Sequence, residues 1–213
     1  KKDMYETFNM GVGLVFAVDK KDIEKNSNIK EELGVVIPFS ETPIEESTSE
    51  NMYLNMIRRA NRYIYITTPY LIITWEMENA LISAAKTGVD VRIITPHIPD
   101  KKYIHLLTRS FYKRLIDNGV KIYEFEKGFI HAKNFVCDDE FVVIGSINLD
   151  YRSLYLHFEC AVWTFGTPII KDVKRDFERT LKKSIAITPE WIKKRKLITR
   201  ILQSLLKLFA PLM

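Results

Sequence analysis

From residue 131 to residue 148 the chain reads HAKNFVCDDEFVVIGSIN, a stretch in which several side chains can do chemistry. His131 and Lys133 are two apart in an apolar, β-prone run, a spacing that projects both from one face of a strand. A neutral imidazole beside a fixed ammonium suits phosphoryl transfer. The ammonium neutralises non-bridging phosphate oxygens, while the imidazole attacks phosphorus or protonates a leaving oxygen. Ser146 and Asn148, again two apart after the next strand, add neutral hydrogen-bonding groups for phosphate oxygens or for the lysine. Asp138 falls in the polar turn Cys137-Asp138-Asp139-Glu140, where a carboxylate is better placed to hold backbone amides than substrate.

The other histidines lack such company. His97 lies in a loop, Thr95-Pro96-His97-Ile98-Pro99, and His105 within a predicted helix; both read as structural. His157 shares a predicted strand face with Glu159. Cys137 and Cys160 sit in apolar, strand-like segments, and two cysteines make neither a disulfide framework nor a zinc site, so they read as buried free thiols. No His/Asp/Glu cluster has metal-ligand spacing, and the expectation is chemistry with no metal and no other cofactor.

A fold must position these groups. The chain has 213 residues, 46% of them hydrophobic, which is enough for a substantial core. No apolar run approaches the roughly 18 residues of a membrane-spanning helix, so a polytopic membrane protein is excluded for this segment. It opens Lys1-Lys2-Asp3 without a signal-peptide pattern and reads as starting inside a longer protein. Strands are expected at 12–18 and 35–39, with a polar excursion between them. A linker over 41–50 ends in Ser47-Thr48-Ser49-Glu50, a capping box for a helix to about residue 60. Strands at 63–67, 89–95 and 120–125 then alternate with helices at 76–86 and 100–118, the latter capped by Asp100 and stopped by Gly119. This alternation implies βαβ units and a mainly parallel sheet. Three strands follow at 132–137, 141–145 and 157–164, and the chain ends in helices at 168–183 and 190–209.

The net charge of +5 is unevenly spread. Residues 1–50 carry 6 Lys/Arg against 11 Asp/Glu, whereas residues 171–213 carry 12 against 4. The basic end suggests contact with an anionic surface, either nucleic acid or lipid headgroups. Within it, Leu197, Ile198, Ile201, Leu202, Leu205 and Phe209 follow helical spacing, the pattern of an interfacial amphipathic helix or of one packed on the domain.

His131, Lys133 and Asp138, followed by Gly145-Ser146-Ile147-Asn148, match in full the His-x-Lys-x4-Asp and Gly-Ser-x-Asn signature of the phospholipase D superfamily, which the chain resembles. The flanks Asn148-Leu149-Asp150-Tyr151-Arg152-Ser153-Leu154, Phe158-Glu159, Thr68-Pro69-Tyr70, Gly119-Val120-Lys121-Ile122-Tyr123 and the closing Phe209-Ala210-Pro211-Leu212-Met213 resemble bacterial cardiolipin synthases after their second signature. The likeness is dense over 52–213 and looser over 1–50. The chain departs from the family at Leu71-Ile72-Ile73, where relatives commonly have Phe and then Pro, and over 39–43, where Ser-Gly-Pro is frequent.

The resemblance implies an α/β fold: a phospholipase D-like sandwich domain with a central mixed, mainly parallel sheet flanked by helices. It implies a phosphatidyltransferase that makes cardiolipin and glycerol from two phosphatidylglycerol molecules through a covalent phosphohistidine, without a metal. His131, Lys133, Asp138, Ser146, Asn148 and Glu159 form the implied catalytic set. Glu159 would orient the catalytic histidine, Tyr70 would line the substrate pocket, and His131, in a second signature, would be the acid/base. Only one His-x-Lys occurs in the chain. The expected organisation is therefore a linker and edge segment of a preceding half at 1–46, a catalytic half-domain at 47–189, and an amphipathic C-terminal helix at 190–213. Such a half-site is expected to be inactive alone. Its partners would be an anionic membrane surface and the N-terminal half or a homodimer mate, with nucleic acid disfavoured. The complete protein would sit at the cytoplasmic face of the cell membrane. A single-signature nuclease or phosphodiesterase acting as a homodimer is the alternative.

Overall fold

A computed structural model of the chain describes residues 35–40 and 47–212; the strand expected at 12–18 lies outside them. In order, the elements are β1 (Val35–Ser40), α1 (Thr48–Arg59), β2 (Tyr63–Thr67), β3 (Leu71–Ile72), α2 (Trp75–Lys86), β4 (Asp90–Pro96), α3 (Lys102–Asp117) and β5 (Lys121–Phe125). There follow β6 (Asn134–Cys137), β7 (Phe141–Gly145), β8 (Leu149–Asp150), a π-helical turn (Arg152–Leu156), β9 (Cys160–Phe165), α4 (Ile169–Leu181), β10 (Ser184–Ile187), α5 (Pro189–Lys193), α6 (Leu197–Lys207) and a 3-10 turn (Ala210–Leu212).

Every residue of β2 is buried, so both faces of the sheet must be covered. Alternation does the sorting. Ile64 and Ile66 join one apolar cluster with Ile57 of α1, Leu81 of α2 and Leu115 of α3. Tyr63 and Tyr65 face the other way, into a second cluster with Val173 and Phe177 of α4. Among the described residues the sheet has eight strands in the order β1-β9-β7-β6-β2-β4-β5-β10.

The mixed sheet with flanking helices agrees with expectation, but among the described residues its parallel pairing is confined to β2–β4 and β4–β5. The other five pairings in that sheet are antiparallel. The reason is connection length. α2 and α3 carry the chain across the sheet between parallel strands, whereas β6 and β7 are joined by three residues. A second, two-stranded sheet pairs β3 with β8 in parallel and brings residues 68–72 beside 147–150.

Several local expectations change. The capping box at Ser47 does not close: Ser47 makes no side-chain cap bond, and the Glu50 carboxylate instead accepts from Thr74 and Tyr155. Asp100 does not cap α3, whose N-cap is Lys101. The C-terminal helix is two helices, with the break at residues 194–196, where Arg195 bonds the Ile192 carbonyl through both backbone and side chain. Strand β10 was not expected; Ser184-Ile185-Ala186-Ile187 is too short for alternation to declare itself. Both cysteines are free, and burial, aided by Asp138 and Glu140, pushes the Cys137 thiol up to about 12.

Two buried carboxylates organise the fold. Asp138 accepts from the backbone amides of Asn61 at 2.6 Å, Arg62 at 3.0 Å and Tyr63 at 2.7 Å. It does so from a left-handed conformation, φ 56°, followed by Asp139 at φ 63°, in a turn closed by Glu140 N–H to the Cys137 carbonyl. Aspartate tolerates that region better than most residues. Glu124, with no exposed surface, accepts from Arg109 Nε at 2.7 Å, Arg109 Nη2 at 2.6 Å and Tyr112 Oη at 3.1 Å, with His97 Nδ1 at 2.8 Å. His97, read as structural, is thus part of this cluster, and His105 sits against the Pro96 carbonyl at 3.1 Å.

Asp138→Ala should cost about 2–4 kcal/mol, because buried amides lose a charged acceptor. Asp138→Asn should cost less, since it keeps one acceptor and the left-handed tolerance. Urea denaturation midpoints check this ordering, and equal midpoints for the two variants would refute it.

Burial raises the pKa of Glu124, but the bonds and charge of Arg109, with His97, outweigh it and hold the group below its ordinary value. A depressed carboxylate stabilises the fold above its unfolded pKa and loses that contribution as pH falls through the folded one. Glu124→Gln should therefore cost about 3–5 kcal/mol at neutral pH. It should also flatten the fall in stability below about pH 4.5, the ordinary value for the group. Unfolding free energies between pH 3 and 7 decide, and parallel curves for the two proteins would refute the assignment.

Candidate active site

Antiparallel pairing sets Asn134 of β6 opposite Thr67, the last residue of β2. The segment from His131 to Lys133 therefore enters β6 at the carboxyl edge of the parallel strands, where Tyr70 and Asp100 also emerge. Crevices at that edge are where open α/β sheets bind ligands. His131 and Lys133 lie just before the strand rather than in it. Lys133 Nζ donates to the His131 carbonyl at 2.7 Å, and Gly145 N–H donates to the Lys133 carbonyl at 3.4 Å, which ties the segment to β7. The His131 imidazole is exposed, with the Phe129 ring 5.4 Å away.

The glycine of Gly-Ser-x-Asn has a steric reason. A Cβ at Gly145 would fall on the Cys160 carbonyl oxygen and within 2.5 Å of Ala161 Cα. Only glycine lets β7 approach β9 this closely, and that approach delivers Ser146 to Glu159. Ser146 Oγ donates to Glu159 Oε2 and accepts from Cys160 N–H at 2.9 Å. Asn148 Nδ2 donates to Ser153 Oγ at 2.9 Å, and Ser153 N–H donates to Asp150 Oδ1 at 2.8 Å. Among the described residues the buried Asn148 Oδ1 has no hydrogen-bond partner, so this end of the amide is an acceptor, matched to an ammonium or a hydroxyl rather than a phosphate oxygen. Tyr70 Oη donates to Asp100 Oδ2 at 2.5 Å.

Electrostatics bind these groups into one cluster. Burial pulls the Lys133 ammonium down to about 8, against the opposing charges of Glu159 and Asp150. Burial and the neighbouring Lys133 hold the His131 imidazole below its ordinary value, and Asp100 works the other way. Asp150 is raised by burial and further by Glu159, against the bonds from Ser153. Near neutral pH the arrangement therefore combines a neutral imidazole with a cation that gives up its proton more readily than an ordinary lysine.

His131, Lys133, Ser146, Asn148, Glu159 and Tyr70 thus fall in one neighbourhood. Asp138 does not: it sits at the opposite end of β6 and is engaged by backbone amides, so its place in the motif is architectural. Among the described residues no hydrogen bond joins Glu159 to His131; Glu159 holds Ser146 and lies 3.7 Å from His157 Nδ1. Arg152 donates to His157 Nε2 at 3.1 and 2.9 Å, which leaves the His157 proton on Nδ1, towards Glu159. Asp100, Asp150 and Phe129 were missed from sequence. Only Asp150, two residues past Asn148 on the same flank, left a readable signal. Among the described residues no group of three His, Cys, Asp or Glu side chains is arranged to hold a metal ion.

Residues 53–181 match the family model described as "Cardiolipin synthase, PLD-like domain". The chain is 50% identical over 181 residues to an uncharacterized protein of Streptococcus mutans, covering 84% of this chain and 39% of that protein. It is 39% identical over 166 residues to cardiolipin synthase 2 of Bacillus cereus, covering 78% of this chain and 32% of that protein. The chain thus spans about a third to two fifths of the length of these relatives. Among solved structures, Nuc of Salmonella typhimurium, a phospholipase D family member, matches with a TM-score of 0.62 at 18% identity, covering 72% of this chain and 98% of that one.

The field of Glu159 makes a signed prediction. Glu159→Gln removes the largest charge supporting the Lys133 ammonium, so the Lys133 pKa should drop further below about 8. An NMR titration of the lysine side-chain resonances measures it; an unchanged or higher value would refute the coupling.

Proposed function

The chain belongs to the cardiolipin synthase, PLD-like domain family, and we propose that it carries one half of a phosphatidyltransferase active site. The observation that carries the reading is the convergence of a single imidazole–ammonium pair, His131 and Lys133, with Ser146, Asn148 and Glu159 at the carboxyl edge of the parallel strands.

In this reading the catalytic half-domain is 47–189, and 190–213 is a C-terminal helical segment. The substrate is phosphatidylglycerol, met at an anionic membrane surface, and the complete enzyme works at the cytoplasmic face of the cell membrane. The reaction needs two imidazoles on opposite sides of phosphorus. A histidine of the other half attacks the phosphodiester, the P–O bond to the departing glycerol breaks, and His131 gives that oxygen its proton. His131, now neutral, takes the proton from a hydroxyl of a second phosphatidylglycerol. The resulting alkoxide attacks phosphorus and frees the other histidine, which yields cardiolipin.

The depressed pKa of His131 supports the base half of the cycle. An anionic phosphodiester beside the ring favours its protonated form, which the acid half requires. Lys133 neutralises the non-bridging oxygens. The free Asn148 Oδ1 is an acceptor open to an ammonium or a hydroxyl, and Glu159, held by Ser146, supports the Lys133 charge through space.

One imidazole cannot carry the phosphatidyl group and protonate the departing oxygen at once, so the isolated 213-residue chain should not turn over phosphatidylglycerol. Activity should appear when the upstream half is supplied, or at concentrations where a homodimer mimics it. In the reconstituted enzyme His131→Ala and Lys133→Ala should abolish transfer, and Ser146→Ala or Asn148→Ala should each cost about 2–4 kcal/mol of barrier. Headgroup transfer and cleavage of single-stranded DNA are measured side by side. Concentration-independent transfer by the monomeric chain would refute the half-site, and DNA cleavage without transfer would refute the substrate.

A further inference from the structure

The last helix is mounted the wrong way round for a soluble protein. An amphipathic surface helix ordinarily turns its apolar stripe to the core. In α6 the only buried residue is Gln203, 4% exposed, whereas Leu205 is 53% and Leu197 68% exposed. Beside Leu206, which packs on the main core cluster, the polar stripe makes the contacts. Gln203 Nε2 donates to the Leu106 carbonyl of α3 at 3.1 Å, Gln203 Oε1 accepts from Arg195 at 2.7 Å, and the Lys207 ammonium lies 4.1 Å from the centroid of the Phe111 ring. The apolar side, Leu197, Ile201 and Leu205, faces away from the domain and continues past the helix into Leu208 and Phe209.

We infer that this outward face docks on an anionic lipid bilayer. A continuous exposed apolar surface of this kind calls for a partner, and the charges choose which. Residues 191–213 carry six basic side chains and no acidic one. Of these Lys193, Lys194, Lys196 and Arg200 are exposed. Apolar side chains flanked by lysine and arginine fit the headgroup–acyl boundary of an anionic leaflet, whereas a second copy of this surface would meet like charge. The position suits the proposed chemistry. Gln203 of α6 bonds α3 at Leu106, Arg195 just before α6 bonds it at Arg109, and α3 begins beside Asp100, the partner of Tyr70. At 1.5 Å per residue, Leu106 is about 6 Å along the helix from Lys102, two residues after Asp100. The exposed Ile98 and Tyr103 lie on that stretch of chain. The inference extends the lipid-transfer reading, but it is measured by binding alone.

The test is co-sedimentation of the 213-residue chain with vesicles of equimolar phosphatidylglycerol and phosphatidylcholine, against vesicles of phosphatidylcholine. Wild type should bind the anionic vesicles at least tenfold more tightly. Two double variants at exposed positions, Ile201→Asn with Leu205→Asn and Lys196→Glu with Arg200→Glu, should each lose that binding at least tenfold while melting at the wild-type temperature. His131→Ala should bind as wild type. Vesicle binding by the chain, with no lipid transfer even when the upstream half is supplied, would support the surface while counting against the transfer reading. Wild-type binding by both double variants, or equal binding to the two vesicle types, would overturn the inference. So would substitutions that dissolve a dimer in sedimentation velocity without altering vesicle binding.

Discussion

The carboxylate of Asp138 gathers three consecutive backbone amides at the entrance to β2, from a turn whose backbone is left-handed at two successive residues. Hydrogen bonds to a charged acceptor are among the stronger ones a fold has, and these are made between segments about 75 residues apart in sequence. They pin the β6–β7 turn against the start of β2, so β6 runs antiparallel to β2 in one register. Because a strand's side chains alternate, a slip of one residue would reverse every side chain of β6. The register sets Asn134 against Thr67, and the His131–Lys133 segment then has one place to go, the carboxyl edge beside residues 68–70. The aspartate of the motif acts from the far end of the strand that the histidine and lysine lead into.

At that edge, two effects compete over Lys133. Burial disfavours its charge, while Glu159 and Asp150 favour it; burial wins, and the pKa settles near 8. The carboxylates do not form direct ion pairs with the lysine among the described contacts, and this is why they fail to restore its ordinary value. Instead Glu159 is held by Ser146, whose approach depends on the absence of a Cβ at Gly145. The glycine, the serine and the glutamate thus form one mechanical unit: closing β7 on β9 places the carboxylate, and the carboxylate tunes the lysine through space.

Much of this was legible in the sequence, for identifiable reasons. Tyr63–Thr67 and Phe141–Gly145 were bounded as expected because buried strands of β-branched and aromatic residues between polar turns have few alternatives. The cluster around His131 was legible because its side chains come as closely spaced pairs on adjoining strands. What failed depended on tertiary partners. Glu50 has the spacing of a capping box, but Thr74 and Tyr155, distant in sequence, take its carboxylate. Asp100 has the look of an N-cap, but Tyr70 claims one of its oxygens. The parallel sheet was overestimated because the helical crossovers between parallel neighbours stop at β5, and a connection as short as the one from β6 to β7 can only turn the chain back antiparallel. The immediate partners of Glu159 were not legible either: its carboxylate takes the Ser146 hydroxyl and lies 3.7 Å from His157, contacts set by the approach of β7 to β9.

The orientation of α6 follows from a second buried carboxylate rather than from its own hydrophobicity. Glu124 holds Arg109 with two hydrogen bonds, and the Trp191 ring lies 5.1 Å from the Arg109 guanidinium and 6.0 Å from that of Arg195. Arg195 in turn donates to the Arg109 carbonyl at 3.2 Å and to Gln203 at 2.7 Å, while Gln203 reaches the Leu106 carbonyl. Each link is directional. A buried amide must find both a donor and an acceptor, and Gln203 finds them only with its own face of the helix turned inward. Apolar packing would tolerate a range of rotations about the helix axis; these bonds do not. A chain of polar contacts that starts at one fully buried glutamate therefore fixes which arc of α6 meets the domain, and the arc left over is the apolar one.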